Sequence, residues 1–392
     1  MLATDRCDHL DDPWRDGAIA VRFHDDEASL GNILSAVEKQ PLSGVVAVGD
    51  RPTVLAARVA EALGLPGNPV AAADATRSKK IMRRRFEAAR MRTPWYFHMK
   101  ADADAAVMAS QVTFPCVIKP LGLSGSRGVI RADTARQFDY AVRRVRALLA
   151  RPDVRAQRTG LTDELLIEGY IEGREYAVEG LVTNGTVRPL AIFDKPDSLD
   201  GPFFEETIYV TPPLLAEDLR RAVANEVQRA ATALGFVHGP IHAECRIGPL
   251  GITMLEVAAR PIGGLCSKVL RFDGNGARVP LEALLLRHAI GDDTSGFTRD
   301  TEAAGVMMIP IPRRGIFKGV AGESAAKEVP HVEDLLITAK RDQLLEPLPE
   351  GDSYLGFIFA RAADSIAVVN ALREAHRRLA VDIDPELRVL RG

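Results

Sequence analysis

The stretch Phe114–Val129, FPCVIKPLGLSGSRGV, joins a short apolar strand to a loop of glycines and serines. Glycine lets the backbone approach a ligand with several N–H groups converging on it, and serine hydroxyls add further donors. A dinucleotide-binding fingerprint would lead into a helix, and a Walker A loop would end in GKS or GKT, whereas this loop leads into a second strand-like run, VIRA. The stretch therefore predicts a hairpin flap that covers phosphate groups; an ordinary surface turn is the alternative for the loop taken alone.

Two lysines stand where they can meet phosphates under this flap. Lys119 ends the strand directly before the loop, and Lys79 begins a basic helix upstream. Two ammonium groups and a glycine-rich loop together can neutralise the phosphate tail of a nucleotide. In the same helix, the run Arg83-Arg84-Arg85 is interpreted as a solvated face, because no aromatic residues are interleaved with it.

A second group of charged residues follows a strand pair in the middle of the chain. Ile252–Pro261 reads ITMLEVAARP, and the period of two in a strand places Glu256, Ala258 and Arg260 on one face. A hairpin through GPLG pairs this strand with IHAECRI, which brings Glu244 beside them. Two carboxylates and an arginine are costly to bury unless a cation compensates them, and Mg²⁺ bound between phosphates is the expected partner. A surface ladder of salt bridges is the alternative.

The composition is that of a globular protein. The 392 residues are 46% hydrophobic and 26% charged, with a formal net charge of -3. These values exclude intrinsic disorder and argue against nucleic acid or an anionic membrane as a partner. No CxxC pair is present, the apolar runs are too short to span a membrane and the N-terminal segment is unlike a signal peptide, so we predict a cytoplasmic protein. The cysteines are Cys7, Cys116, Cys245 and Cys266.

The chain is predicted to form three domains of mixed α/β and α+β structure. In residues 1–75, strand-like runs such as AIAVRF and GVVAVGD alternate with helices, which indicates a parallel, Rossmann-like domain. Residues 76–300 hold the lysines and the carboxylates, and a lid subdomain at residues 111–180 contains the glycine-rich loop. Residues 301–392 predict a small α+β domain. A homodimer is expected from the general frequency of such assemblies.

Several stretches of the chain follow one another in the order of a known superfamily. They are SKKIMRRRFEAARMRTP, FPCVIKPLGLSGSRGV, ELLIEGYIEGREYAVEG, GPIHAECRI, ITMLEVAARPIGG and YLGFIFARA. Together they resemble the ATP-grasp superfamily, and within it the carboxylate–amine ligases of the L-amino acid ligase (dipeptide synthase) type. The resemblance implies an ATP-grasp fold, in which ATP lies between two α+β subdomains, with a Rossmann-like N-terminal domain and a small α+β C-terminal domain.

The same resemblance implies a role for individual residues. The residues implied to bind ATP are Lys79, Lys119, Ser124, Gly125, Ser126, Glu168, Tyr170, Ile171 and Glu175. Glu244 and Glu256 are implied to bind Mg²⁺, for which Mn²⁺ can substitute, and Arg260 acts with Lys119 in catalysis by steadying the transferred phosphoryl group. The residues implied to line the carboxylate and amine pockets are Glu179, His242, Gly263 and Gly264.

The implied reaction joins two small molecules through an acyl phosphate and releases ADP and phosphate, with catalysis by positioning and charge neutralisation. Two departures from the family pattern leave alternatives open. Ala258 stands where the family has an asparagine ligand, which puts a second Mg²⁺ in doubt, and the N-terminal domain is expected to be shortened. The alternative functions are a carboxylase-type ATP-grasp enzyme and a nucleotide-binding ATP-grasp protein without ligase activity.

Overall fold

The structure, a computed structural model, describes residues 1–5, 18–38, 40–156 and 163–386, so that Cys7 lies outside the described residues. The first part of the chain contains the elements β1 (Leu2–Thr4), β2 (Ala18–Ala20), α1 (Asp26–Val37), α2 (Thr53–Ala62) and α3 (Val70–Arg77). β1 and β2 pair in parallel, and α1 and α2 pack on them through a small apolar core that includes Ile33 and Leu55. The predicted parallel pattern is present, but the run GVVAVGD pairs with no described strand, and Val48 within it is exposed.

The second part of the chain carries the flap. Its elements are α4 (Lys79–Ala88), β3 (Tyr96–Lys100), α5 (Ala105–Ala109), β4 (Cys116–Pro120), β5 (Ile130–Ala132), α6 (Ala135–Leu149), α7 (Pro152–Arg155) and β6 (Glu164–Gly169). The strands form an antiparallel sheet in the order β3-β6-β4-β5, and α6 buries Phe138, Val142 and Val145 against it. The flap connects β4 to β5, two antiparallel neighbours, as the sequence predicts.

The third part of the chain begins a larger sheet. Its elements are β7 (Arg174–Thr183), β8 (Thr186–Asp194), β9 (Ile208–Thr211), α8 (Glu217–Leu234), β10 (Gly239–Gly248), β11 (Gly251–Ala258), a short 3₁₀-helix (Cys266–Val269), β12 (Arg271–Gly274), β13 (Ala277–Pro280), α9 (Leu281–Ala289) and β14 (Thr298–Arg299). α8 packs its apolar face, which includes Val223, Val227 and Leu234, onto this sheet.

The last part of the chain completes the larger sheet with β15, β17 and β19. The elements of this part are β15 (Ala303–Ile309), β16 (Gly315–Ala321), α10 (Glu323–Lys327), β17 (Val332–Ile337), β18 (Leu344–Leu345), β19 (Gly356–Ala362), α11 (Ser365–Arg377) and β20 (Ala380–Asp384). Eight antiparallel strands run in the order β11-β10-β7-β8-β9-β15-β19-β17. Because β15 pairs with β9, the sheet continues across residue 300, where we placed a domain boundary; the domain limits stay a prediction.

The site follows from the way the two large sheets are joined. β6 ends at Gly169 in the four-stranded sheet, and β7 begins at Arg174 in the eight-stranded sheet. Residues 170–173 are therefore the connection between the sheets, and a cavity opens between them. No helix in the described part of the chain is both long enough and apolar enough to cross a membrane.

Candidate active site

A cavity of about 860 Å³ lies between the two sheets. The flap forms one wall, the β10–β11 hairpin forms another, and residues of the last part of the chain close the far end. The predicted site residues in its walls are Lys79, Lys119, Ser124, Gly125, Ser126, Glu168, Tyr170, Ile171, Glu175, His242, Glu244, Glu256, Arg260, Gly263 and Gly264. Glu179, also predicted as a pocket residue, does not line the cavity and lies behind its wall, fully buried.

The flap is held over the cavity by α4 and by its own backbone. Lys79 Nζ donates a hydrogen bond to the carbonyl oxygen of Leu123 at 3.0 Å. Gly128 has a φ of 74°, and a Cβ there would lie 2.9 Å from Pro120 Cγ, so glycine is required for the flap to turn back against β4. Ser124, Gly125 and Ser126 then form the tip that faces the cavity.

Glu168 is the centre of a buried ion cluster beneath the flap. Its carboxylate lies 2.5 Å from Lys119 Nζ and accepts a hydrogen bond from Arg83 Nε at 2.9 Å. Glu168 and Arg83 are almost completely buried. Burial alone would raise the pKa of Glu168, but the charges of Arg83 and Lys119 outweigh it and lower that pKa to about 2. The cluster fixes the position of Lys119, whose ammonium faces the cavity.

The prediction that the arginine run of α4 is a solvated face is wrong for Arg83. This side chain is almost fully buried because it points to Glu168, whereas Arg84 is exposed. Arg83 lies four residues after Lys79, so helical spacing places both cations on one face, towards the cavity. That spacing was the signal in the sequence that could have identified it.

The connection between the sheets contributes Tyr170 and Ile171. The Tyr170 hydroxyl donates to Asp200 Oδ1 at 2.8 Å, and the Arg131 guanidinium lies over the tyrosine ring, 4.1 Å from its centroid. The Ile171 carbonyl oxygen accepts a hydrogen bond from Arg246 at 2.7 Å. These contacts fix an aromatic ring and a backbone segment at one end of the cavity.

The predicted pair of acidic residues is brought together by strand register. Glu244 of β10 lies directly opposite Glu256 of β11. Among the described residues, the carboxylate of Glu256 has no hydrogen bond or ion pair, although the residue lines the cavity. Two glutamates at paired positions of one hairpin, one of them without an ion-pair partner, suit a hard divalent cation that prefers oxygen ligands. The residues therefore fit a Mg²⁺ site.

Lys195, directly after β8, lies among three carboxylates, and the sequence analysis did not identify it. Its ammonium is 2.7 Å from Glu175 Oε1, 2.5 Å from Glu206 Oε1 and 2.8 Å from Glu244 Oε1. Glu175 also accepts a hydrogen bond from Arg246 at 3.0 Å. Burial raises the pKa of Glu206 to about 7, even though Lys195 acts in the opposite direction.

Arg260 receives a partner from the first part of the chain. Its Nε lies 2.6 Å from Asp50 Oδ1, and a second nitrogen donates to Asp50 Oδ2 at 3.3 Å. Burial would raise the pKa of Asp50, but Arg260 lowers it below its ordinary value. This two-point ion pair holds the guanidinium at the cavity wall, and no pattern in the sequence indicated it.

His242 is enclosed by two carboxylates. Its Nδ1 lies 3.6 Å from Glu179 Oε2, and its Nε2 lies 3.7 Å from Glu244 Oε1. Burial would lower the pKa of His242, but the two glutamates raise it above its ordinary value. Glu179 also accepts a hydrogen bond from the Ile262 backbone N–H at 2.9 Å, and its burial raises its own pKa. Glu179 thus supports His242 and the loop after β11 from behind.

The far end of the cavity is formed by the predicted glycines and by residues of the last part of the chain. Gly264 has a φ of 59°, and a Cβ there would lie 2.6 Å from Met308 Sδ. Tyr354 and Phe357 line the same end. These side chains form an apolar pocket next to the charged centre, and their role could not be read from the sequence because they are distant from the charged residues along the chain.

Comparisons with known proteins identify three domains along the chain. Residues 3–67 match the ATP-grasp N-terminal domain, residues 112–269 the ATP-grasp domain and residues 307–384 the L-amino acid ligase C-terminal domain 2. The crystal structure of an L-amino acid ligase from Bacillus licheniformis superimposes with a TM-score of 0.81 at 27% identity, and the match covers 94% of this chain and 88% of that one.

Two further comparisons mark the limits of the likeness. The alanine–anticapsin ligase of Bacillus subtilis is 26% identical over 202 residues, 49% of this chain and 42% of that ligase, so this chain spans less than half of that relative. N5-carboxyaminoimidazole ribonucleotide synthetase from Thermotoga maritima is 14% identical with a TM-score of 0.63, covering 91% of this chain and 86% of that one, and shares the fold alone. From the ordered domain matches and the whole-chain superposition, the chain belongs to the ATP-grasp superfamily, among the ATP-dependent carboxylate–amine ligases of the L-amino acid ligase type.

Proposed function

We propose that this ligase joins the carboxylate of one amino acid to the amine of a second by means of ATP, and that the residues of the cavity carry out this reaction. The observation that supports the proposal is the placement of two opposite charge sets on one cavity. Lys79, Lys119 and the flap lie on one wall, and Glu244, Glu256 and Arg260 lie on the other. A triphosphate fits between cationic groups and a metal site of this kind.

The chemistry requires activation of the carboxylate, because its oxygen is a poor leaving group. A carboxylate oxygen of the first substrate attacks the γ-phosphorus of ATP, the bond to the β-phosphate oxygen breaks, and ADP leaves. The amine of the second substrate then attacks the carbonyl carbon and loses a proton. The bond from this carbon to the oxygen that bridges it to phosphorus breaks, and phosphate leaves with that oxygen. The products are an amide, ADP and phosphate.

The phosphates are held by residues of the flap side. Lys119 is positioned by Glu168, and Lys79 is anchored to the flap at Leu123. Both ammonium groups, with the backbone N–H groups of Ser124 to Ser126, would offset the charge of the triphosphate as it develops in the transition state. Tyr170 and Ile171 would face the base of the nucleotide, and Glu175 its ribose.

Glu244 and Glu256 are the residues that would hold Mg²⁺. When bound, the cation neutralises phosphate oxygens and polarises the phosphorus towards attack. Arg260 lies four residues after Glu256 and is fixed by Asp50, so its guanidinium can donate to the transferred phosphoryl group. His242 would lie beside the carboxylate and amine of the substrates, with Gly263 and Gly264 leaving the space for them.

The flap covers the cavity and would exclude water from the reaction. Acyl phosphates are hydrolysed by water, so the reaction needs a covered site. Arg127 of the flap is almost fully buried and donates to the Glu350 carbonyl oxygen at 2.8 Å, while the Gly128 N–H donates to the Pro349 carbonyl oxygen at 2.8 Å. The flap is thereby closed against the last part of the chain.

The other partner calls stay predictions of the sequence. We propose small-molecule substrates, no nucleic-acid or membrane partner, and a cytoplasmic location. The free and buried thiols of Cys116, Cys245 and Cys266 are consistent with a reducing compartment. The homodimer stays a prediction.

The test is phosphate release from Mg·ATP with purified protein across a matrix of amino acids, followed by mass spectrometry of positive wells. We expect release that requires two amino acids and a product whose mass equals their sum less water. Glu256→Gln removes one carboxylate charge at nearly constant shape and is expected to abolish release, whereas Glu282→Gln, at an exposed position in the first turn of α9, is the matched control.

Two outcomes contradict the proposal. ADP formation that requires bicarbonate and no second amine would indicate the carboxylase-type alternative. Thermal stabilisation by ATP without release for any pair of substrates would indicate a nucleotide-binding protein without ligase activity.

A further inference from the structure

Lys195 occupies a position in the site that a metal ion would otherwise suit. Oxygens of Glu175, Glu206 and Glu244 all lie within 4.8 Å of one another, which is a spacing that can hold a metal ion. The Lys195 ammonium stands among the same three carboxylates at 2.5 to 2.8 Å. An ammonium has three N–H donors, so each donor has one carboxylate.

The arrangement differs from an ordinary structural ion pair in two respects. Lys195 is buried, and the three carboxylates around it, Glu175, Glu206 and Glu244, line the cavity, so the cluster borders the reaction space. Glu244 is shared, because it contacts Lys195 and also lies opposite Glu256 in the proposed Mg²⁺ site. The cation of Lys195 is therefore adjacent to that site.

The neighbouring strand offers few ligands for a second metal. β11 places Glu256 and Ala258 at the cavity wall, and Ala258 has no side-chain oxygen. A divalent cation needs several oxygen ligands, and the additional carboxylates near Glu244 are already bonded to Lys195.

We propose that Lys195 is a built-in cation that takes the place of a second divalent metal, so that this enzyme works with one Mg²⁺, held by Glu244 and Glu256. This inference rests on the proposed function, because it assumes the metal site given there. Lys195 positions three carboxylates that line the cavity and supplies one fixed positive charge directly behind them. A fixed ammonium cannot dissociate, so the charge is present before the nucleotide binds.

The inference is tested by counting metal ions with Mn²⁺ as the probe, in the full-length protein saturated with ADP. Mn²⁺ bound per chain is measured by titration with detection of free Mn²⁺ by electron paramagnetic resonance. The spectrum of the bound ions also reports whether two Mn²⁺ ions are coupled. We expect one uncoupled Mn²⁺ per chain for the unaltered protein.

Removing the Lys195 ammonium is expected to create a binding site for a second metal ion. Lys195→Met frees three carboxylates, and we expect two Mn²⁺ per chain with a coupled spectrum. Lys318→Met is the matched control, since Lys318 pairs with Asp342 on the surface, and it should keep one Mn²⁺. If Lys195→Met does not fold, Lys195→Gln keeps polar atoms among the carboxylates and is expected to give the same second ion.

Two results would overturn the inference: two Mn²⁺ ions in the unaltered protein, or a single ion in the folded Lys195 variants. The count is independent of turnover, so it separates this inference from the proposed function. Amino acid-dependent phosphate release with two metals would refute only the role of Lys195. One Mn²⁺ without any such release would refute the proposed function.

Discussion

Two sets of ion pairs surround the same cavity and differ in their contact with water. On the sheets, Glu168 and Lys195 are buried and meet their partners within the protein. Arg144, in the part of the chain that carries the flap, forms an ion pair with Glu350 in the last part of the chain. About a quarter of each of these side chains is exposed. Buried charges without water depend on every partner, whereas exposed pairs are screened and exchange with water. The first set is therefore suited to fix the site, and the second to let a lid open.

The largest effect on the free energy of unfolding is expected when one residue of the buried ion pairs is replaced. Glu168→Gln leaves the buried Arg83 and the partly exposed Lys119 without their carboxylate, and we expect a loss of about 3–5 kcal/mol in the free energy of unfolding, mainly because of Arg83. Denaturant unfolding near pH 7 measures it. Glu164→Gln is the matched control, because Glu164 pairs with Lys80 where both side chains are partly exposed, and it should cost less than about 1 kcal/mol.

The pH dependence of the same pair of proteins sharpens the comparison. The pKa of Glu168 is lowered from 4.5 to about 2 in the folded protein, so its ionised form stabilises the fold above the unfolded pKa. That stability is lost as the pH falls through 4.5 towards 2, because protonation then favours the unfolded chain. The difference between the unaltered protein and Glu168→Gln should shrink over this window. A difference that stays constant would show that the carboxylate charge is not the cause.

The next largest effect concerns the chemical step. Arg260→Ala removes the guanidinium proposed to steady the phosphoryl group, and we expect kcat for amino acid-dependent phosphate release to fall about 10²–10³-fold. The affinity for ADP, measured by calorimetry, should stay within a factor of about three, since Lys79 and Lys119 remain. Arg260→Lys keeps the charge but loses the two-point geometry, and it should recover only part of the rate. Full activity of Arg260→Ala would contradict the role.

Local periodicity was sufficient to predict one side of the site. The period of two in ITMLEVAARP and the GPLG hairpin put Glu256 opposite Glu244, and the register confirms that they are neighbours. The flap was predicted from glycines between two strands, and in the structure it connects the paired strands β4 and β5. These features depend on residues close in sequence, where strand geometry decides which side chains meet.

The residues that the sequence analysis missed depend on distant contacts. Asp50 meets Arg260 across 210 positions, and Lys195 meets Glu244 across 49, so no local pattern could pair them. Arg83 was assigned to solvent because a run of arginines resembles an exposed face, while its partner Glu168 lies 85 positions away. Burial of a charge is a property of the assembled fold, and one sequence does not display it.

A smaller effect is expected at the contact between the first part of the chain and the site. Asp50→Asn keeps the shape but removes the charge that holds Arg260, and we expect kcat to fall about tenfold, which corresponds to about 1.4 kcal/mol. The KM for ATP should change little, because the flap side is untouched. Asp5→Asn is the control, since it breaks a more exposed pair with Arg51 in the same part of the chain.

The outcome at Asp50 separates positioning from stability. If the thermal midpoint of Asp50→Asn falls while kcat is unchanged, Asp50 serves only to attach the first part of the chain. A fall in kcat that is restored by Asp50→Glu would support positioning of Arg260, since the longer carboxylate can still form the ion pair.

The smallest effect is expected in the exposed set. Arg144→Gln removes the pairs with both carboxylate oxygens of Glu350, one of them at 2.7 Å, and we expect less than about 1 kcal/mol in stability. If these pairs help to keep the flap part closed, the KM for ATP should rise by at most about fivefold. Arg143→Gln is the control, because Arg143 pairs with Asp139 within α6 and does not bridge the two parts.

The salt dependence of the KM for ATP tests whether the exposed ion pairs hold the flap closed through their charges. Raising the ionic strength screens pairs that face water, so the KM of the unaltered protein should rise towards that of Arg144→Gln and the two should converge. The loss caused by Glu168→Gln should change little over the same range, because its cluster is shielded from ions. If Arg144→Gln keeps its deficit at high salt, the pair contributes through packing of its aliphatic stem and its ring contact with Phe203 rather than through charge.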